Sequence, residues 1–312
     1  MSYDGAVYAT MLRAGAQRLL RERDHINEVN MFPVPDGDSG TNMLYTLTAA
    51  SEAAPEGERS VGLVAQKAAR AALLSARGNS GIILSQIISG LGRGLKEKDT
   101  FTARDLAEGL NHAVELAYRS VAQPVEGTIL TVVKAVSQVA SKVAEETDDL
   151  VDFLDRLATE GRRTLAATPG LLDKLQGAVD AGGLGFCVIL EGMRDAARQD
   201  SPEEAPAEAA ETRGVRVVRG QQVTAPVPAA GARWGYEVVY IVSHPAMSLD
   251  AIREHLAHMG DSVLVVGDQE TAKVHVHTLD PQAVVDWSVG LGDLEQLAFE
   301  NMDEQVEERE GR

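Results

Sequence analysis

Cysteine is almost missing: Cys187 is the one cysteine in 312 residues. A disulfide framework is therefore excluded, and a small buried thiol is expected. Aromatic residues reach only 4%, which leaves Ala, Leu, Val and Ile to supply most of the 44% hydrophobic content, enough for two cores. Basic residues are also in short supply, with 29 Lys and Arg against 47 Asp and Glu and a net charge of -18. That deficit argues against nucleic acid as a partner, because a phosphate backbone needs concentrated positive charge. No apolar run reaches the roughly 18 residues of a membrane span, and no signal peptide opens the chain. A cytoplasmic location is expected. The pattern GxxxxGK[ST] does not occur, so a P-loop kinase is excluded.

What the chain does have is Asn27-Glu-Val-Asn30-Met-Phe-Pro-Val-Pro-Asp36-Gly-Asp38-Ser39-Gly40-Thr41-Asn42-Met43. Two carboxylates two positions apart, in a turn too rich in Gly and Pro to be helical, can point at one small space. Asp36 and Asp38 offer the hard oxygens that Mg2+ prefers, and phosphate oxygens and water can complete its shell. Asn30 and Asn27 are weaker candidate ligands. Ser39, Gly40, Thr41 and Asn42 lead into a helix whose unpaired N–H groups and dipole favour an anion. An EF-hand fails, because counting from Asp36 puts Leu47 where the bidentate Glu belongs. A plain surface turn is the alternative.

Helical periodicity governs the first 200 residues. Gly78, Asn79, Ser80 and Gly81 interrupt it, either as a second anion-binding helix start or as a simple break. Thr102-Ala-Arg-Asp105 reads as a capping box, and Gly127-Thr128 as a turn and N-cap ahead of the next helix. Leu150 to Leu165 is amphipathic. Asp180-Ala-Gly182-Gly183-Leu-Gly185 reads as a loop where something comes close, with tight helix packing as the alternative. Every candidate ligand falls at a helix start, so an all-α bundle with a site built at one end is expected.

Residues 201–232 are acidic and then rich in Ala and Pro, a linker. From residue 233 to 312, strands expected at Tyr236–Val242, 262–267, 273–278 and 294–301 alternate with helices, which gives a small α/β domain. In Val274-His275-Val276-His277-Thr278 both imidazoles share one face. They are either paired metal ligands or part of a solvated strand face.

Over residues 1–200, the string from Asn27 to Met43 and the Gly78–Gly81 segment resemble the nucleotide-binding domain of the fatty acid kinase ATP-binding subunit. That family is related to the ADP-binding component of dihydroxyacetone kinase. Residues 234 to about 302, through Gly260-Asp261 and the His-x-His strand, resemble the same family's middle domain. The resemblance implies an antiparallel helical barrel around the nucleotide phosphates. ATP and two Mg2+ ions would be held by Asp36, Asp38, Ser39–Asn42, Gly78–Gly81, Gly127, Thr128, Asp180, Gly182 and Gly183. It further implies phosphorylation of a fatty acid carboxylate presented by a separate fatty-acid-binding protein, and a homodimer. In the family, the two histidines and a Cys form a site needed for transfer. Here the Cys position is Glu237, so His275, His277 and Glu237 are the expected catalytic set and a Zn2+ triad with a harder ligand. The family continues with a C-terminal domain past the Asn301–Met302 region, so a first-two-domain portion or a short homologue is expected. The alternatives are a subunit of a dihydroxyacetone-type kinase and a non-catalytic, nucleotide-containing docking module.

Overall fold

A computed structural model describes residues 1–55, 57–198, 225–226 and 231–311. Most of the expected 201–232 linker lies outside the described residues. The chain forms two compact units, and the short segments Pro33–Gly37 and Ser120–Pro124 belong with the second.

The first unit is built from α1 (Gly5–Glu28), α2 (Ser39–Glu52), α3 (Val61–Ser75), α4 (Gly78–Gly94), α5 (Ala103–Ser120), α6 (Ile129–Glu146), α7 (Leu150–Leu165) and α8 (Ala181–Arg198). A two-residue pairing of β1 (Tyr3–Asp4) with β2 (Thr100–Phe101) completes its regular structure among the described residues. Local chemistry sets several helix starts. Asp4 accepts the Ala6 and Val7 N–H groups ahead of α1. The expected capping box is present at α5: the Asp105 carboxylate accepts from the Thr102 N–H, and the Asp105 N–H donates back to the Thr102 hydroxyl.

The helices close into a ring. α1 packs on α8 and α2, α2 on α3 and α4, α6 on α7, and α7 on α8. Gly90 of α4 faces the Ala113 backbone of α5, and Asn111 of α5 accepts from Ser137 of α6. The interior is aliphatic, as the scarcity of aromatics requires. Leu12, Leu84, Ile87, Leu157, Phe186 and Met193 line an apolar cavity inside it. In an up-and-down ring the connections α1–α2, α3–α4, α5–α6 and α7–α8 share one end. The candidate nucleotide residues occupy these four connections.

Two expectations are corrected here. Gly182, Gly183 and Gly185 lie within α8 rather than in a loop. A Cβ on Gly185 would come 2.5 Å from Met43 Sδ, and one on Gly183 would come 3.0 Å from Val132 Cγ2. These glycines let α8 approach α2 and α6, and that packing outweighs their poor helix propensity. Likewise Ser39–Asn42 and Gly78–Gly81 are first turns of helices, with the break between α3 and α4 at Ala76–Arg77.

The second unit contains β3 (Tyr236–Ser243), α9 (Leu249–Leu256), β4 (Asp261–Gly267), β5 (Thr271–Thr278), α10 (Pro281–Ser288), β6 (Asp293–Asn301) and α11 (Met302–Glu310). Its sheet has the order β4-β5-β3-β6 with every pair antiparallel. Val238, Tyr240, Val274 and Val276 on one face pack with Ile252 of α9 and Val284 of α10. Alternation then places Glu237, Val239, His275 and His277 on the other face. That face is not solvated at β5, where all eight residues are buried.

Candidate functional site

At the end of the ring, the start of α2 is held by two asparagines. The Asn27 side-chain oxygen accepts the N–H groups of Gly40 at 2.7 Å and Thr41 at 3.2 Å, and its amide donates to the Thr41 hydroxyl at 3.0 Å. The Asn30 side-chain oxygen accepts the Ser39 N–H at 3.1 Å and also the Ser39 hydroxyl. α1 and α2 meet so closely that a Cβ on Gly40 would lie 2.5 Å from the Arg23 carbonyl oxygen. The N–H groups expected to be open for an anion are therefore occupied, because neutral carboxamides satisfy these orphan donors. To act as metal ligands, Asn27 and Asn30 would have to give up these bonds. We expect Asn27→Ala to cost about 1–2 kcal/mol in denaturant unfolding, since it strands two N–H groups. Asn27→Asp should cost less at neutral pH, because a carboxylate accepts the same bonds and suits a helix N-terminus.

Side chains connect this turn to its neighbours. Asn42 donates to the Asp38 carboxylate at 2.7 Å, and Ser80 donates to the Ser39 hydroxyl at 3.0 Å. Gly78 has φ +55°, and a Cβ there would sit 2.2 Å from the Asn42 amide nitrogen, so glycine is required for both conformation and space. Asp36, Asp38, Asn79 and Ser80 are half-buried. Gly127 also has positive φ, +85°, with Leu171 and Leu172 against it. Thr128 caps α6, accepting the Leu130 N–H and donating to the Val125 carbonyl.

Asp180 caps α8 by accepting the Gly183 N–H at 2.7 Å, and its own N–H donates to the Thr168 hydroxyl at 3.1 Å. Thr168 is not among the residues the sequence points to; the Thr-Pro-Gly turn it opens is its only signal. Burial pushes the Asp180 carboxyl up from 3.8 to about 6, against the bonds from Gly183 and Ile129. A folded-state value above the unfolded one stabilises the fold at low pH, and that stability is lost as pH rises through about 6. Asp180→Asn should therefore stabilise the chain by about 2–3 kcal/mol at pH 7.5 and have little effect near pH 4, measured by unfolding at the two pH values. Cys187 is fully buried, as expected, and burial raises its thiol to about 12.

In the second unit, Glu237 lies opposite His277 across the β3–β5 ladder, and His275 is opposite Val239. Glu237 Oε1 is 3.4 Å from His275 Nδ1, and Glu237 Oε2 is 3.7 Å from His277 Nε2. One ligand atom from each of the three lies within 4.8 Å of the others, the one such cluster of three among the described residues. His275 is 0% exposed, and neither ring nitrogen makes a hydrogen bond. Two orphaned polar atoms on a buried ring are costly, and a cation between the three groups would satisfy them. Burial opposes ionisation of Glu237, but the two imidazoles outweigh it and hold the carboxyl below its usual range. Burial, reinforced by His275, lowers His277 despite Glu237. An ionised carboxylate with a neutral imidazole is the protonation state a metal requires, and the donor set suits zinc.

A helical ring with acidic and hydroxyl-bearing helix starts at one end, together with a sheet unit carrying this set, is the architecture of a kinase-related, nucleotide-binding protein. The chain belongs to the DAK2 domain family, whose model matches residues 33–195. Residues 233–309 match a second model, that of the FakA-like middle domain of fatty acid kinases. Uncharacterised proteins of Staphylococcus saprophyticus and Staphylococcus haemolyticus are each 35% identical over 98% of this chain, and one of Staphylococcus aureus is 34% identical. The chain spans 56–57% of the length of these relatives.

Proposed function

We propose that the chain is the ATP-binding part of a phosphotransferase that phosphorylates the carboxylate of a fatty acid presented by a separate fatty-acid-binding protein. The observation that carries this reading is the match of residues 233–309 to the FakA-like middle domain, where Glu237, His275 and His277 converge. In the reaction, a carboxylate oxygen forms a bond to the γ-phosphorus, the bond from that phosphorus to the β–γ bridging oxygen breaks, and ADP leaves with its electron pair. Such a transfer asks the protein mainly to position groups and neutralise charge.

Asp36 and Asp38 would hold Mg2+ on the β- and γ-phosphates. Hydroxyls and amides at Ser39–Asn42 and Gly78–Gly81, with Gly127, Thr128, Asp180, Gly182 and Gly183, would surround the nucleotide. Glu237, His275 and His277 would hold Zn2+, which when bound supplies fixed positive charge for the acceptor. We include a homodimer in the proposal. No helix among the described residues is long and apolar enough to cross a membrane, so the lipid would have to be brought by its carrier.

The test is incubation of the chain with labelled ATP, Mg2+ and either a fatty-acid-loaded binding protein or a triose. Label recovered in acyl phosphate supports the assignment. Label in triose phosphate alone replaces it with a dihydroxyacetone-type kinase, and transfer to neither acceptor despite nucleotide binding leaves a docking module.

A further inference from the structure

Arginines of this chain are mostly spoken for by carboxylates, as the excess of acids predicts. Arg18, Arg156, Arg162, Arg163 and Arg194 all sit within 3.4 Å of Asp or Glu oxygens. Arg77 does not follow this pattern. It is half-buried, and the contact its guanidinium makes is with the face of Tyr45, 5.0 Å from the ring centroid. Tyr45 lies three residues beyond Asn42 on α2.

The backbone of Arg77 is fixed in the proposed site. It is the extended N-cap residue of α4, at φ -133° and ψ 156°, and its side chain caps nothing. The next residue, Gly78, abuts the Asn42 amide, and that amide donates to the Asp38 carboxylate. One residue therefore separates Arg77 from a continuous chain of contacts that ends on a proposed magnesium ligand. A charged guanidinium beside an acidic turn, in a chain of net charge -18, would ordinarily pair with a carboxylate. A cation–π contact holds it weakly and leaves its planar fork of donors unspent.

We infer that Arg77 is a phosphate-binding residue: it leaves the Tyr45 ring to grip the terminal phosphate of the nucleotide that Asp36 and Asp38 address through magnesium. The inference rests on the nucleotide site of the preceding section and adds to it a cation outside the expected residues. A guanidinium matches two phosphate oxygens at once and keeps its charge at every working pH. With both carboxylates committed to metal, it supplies the positive charge that the transferred group otherwise lacks on this side. Tyr45 then serves as a resting place for the side chain and not as part of the grip.

Calorimetric titration with Mg-ATP and Mg-ADP tests this on the full chain and on Arg77→Gln, Arg77→Lys and Tyr45→Leu. Arg77→Gln should weaken Mg-ATP about tenfold and Mg-ADP less than about twofold, because the lost contact is to the terminal phosphate. Arg77→Lys should fall between, keeping charge without the fork. Tyr45→Leu should leave Mg-ATP affinity within about twofold, since cation–π stacking is weak at a partly exposed site. Equal losses for both nucleotides, no loss in Arg77→Gln, or a Tyr45→Leu defect as large as that of Arg77→Gln would overturn the role. Failure of the unsubstituted chain to bind either nucleotide would instead overturn the site itself. Melting temperatures of the variants check that each remains folded.

Discussion

Asp36→Asn together with Asp38→Asn is expected to abolish magnesium-dependent nucleotide binding and to lower phosphoryl transfer on the order of 10³-fold or more. The size follows from charge. Mg2+ is a hard cation that dehydrates reluctantly, and few protein carboxylates hold it when phosphates supply the remaining oxygens. Removing both charges leaves amides that bind it poorly, while the negative charges of ATP lose their counter-ion. The fold should tolerate the change. Both side chains are half-buried, and the start of α2 is capped by Asn27 and Asn30 rather than by Asp38. Calorimetry with and without Mg2+ separates the two effects. Binding that survives in the double variant, or that never depended on Mg2+, would remove Asp36 and Asp38 from the proposed metal site.

The second large effect belongs to Glu237, His275 and His277. His275→Ala and His277→Ala should each reduce transfer to a carrier-bound acceptor at least about tenfold, while nucleotide affinity stays within about twofold. Both should also lose stoichiometric zinc, measured by elemental analysis. A drop in nucleotide affinity would contradict this division of labour between the units. Removing one member of a buried charged set also exposes the others to an uncompensated burial cost, about 3–5 kcal/mol for Glu237→Ala. Chelator-treated protein should show a related acid sensitivity. His277 is held below its ordinary value, so stability is lost as pH falls below about 6.5. Glu237 is also held low, and its contribution is lost further down, as pH falls below about 4.3. Both act in one direction: the metal-free second unit weakens with acid.

Some of this is legible residue by residue. The Thr102–Asp105 capping box and the extent of α7 follow from spacing, since caps and amphipathic periods are local. The strands of the second unit are visible for the same reason, because a period of two with β-branched residues allows few other structures. Gly182, Gly183 and Gly185 read as a loop in sequence yet form a helix, because helix propensity is a weak prior. Whether a glycine breaks a helix or lets two helices touch depends on Met43 and Val132, which are distant in sequence. Asn27 and Asn30 look like spare oxygen ligands; only packing of α1 against α2 turns their oxygens onto backbone N–H groups.

By itself, the sequence determined the class of each unit, the helix starts that gather candidate ligands, and the shared face of His275 and His277, because these depend on period and on neighbours a few positions away. Only the tertiary structure decided that this strand face is buried, that Glu237 meets both imidazoles, and that Arg77 rests on Tyr45 instead of a carboxylate. Those facts depend on which distant segments come together, and water exclusion and orphaned polar groups arise only once they do.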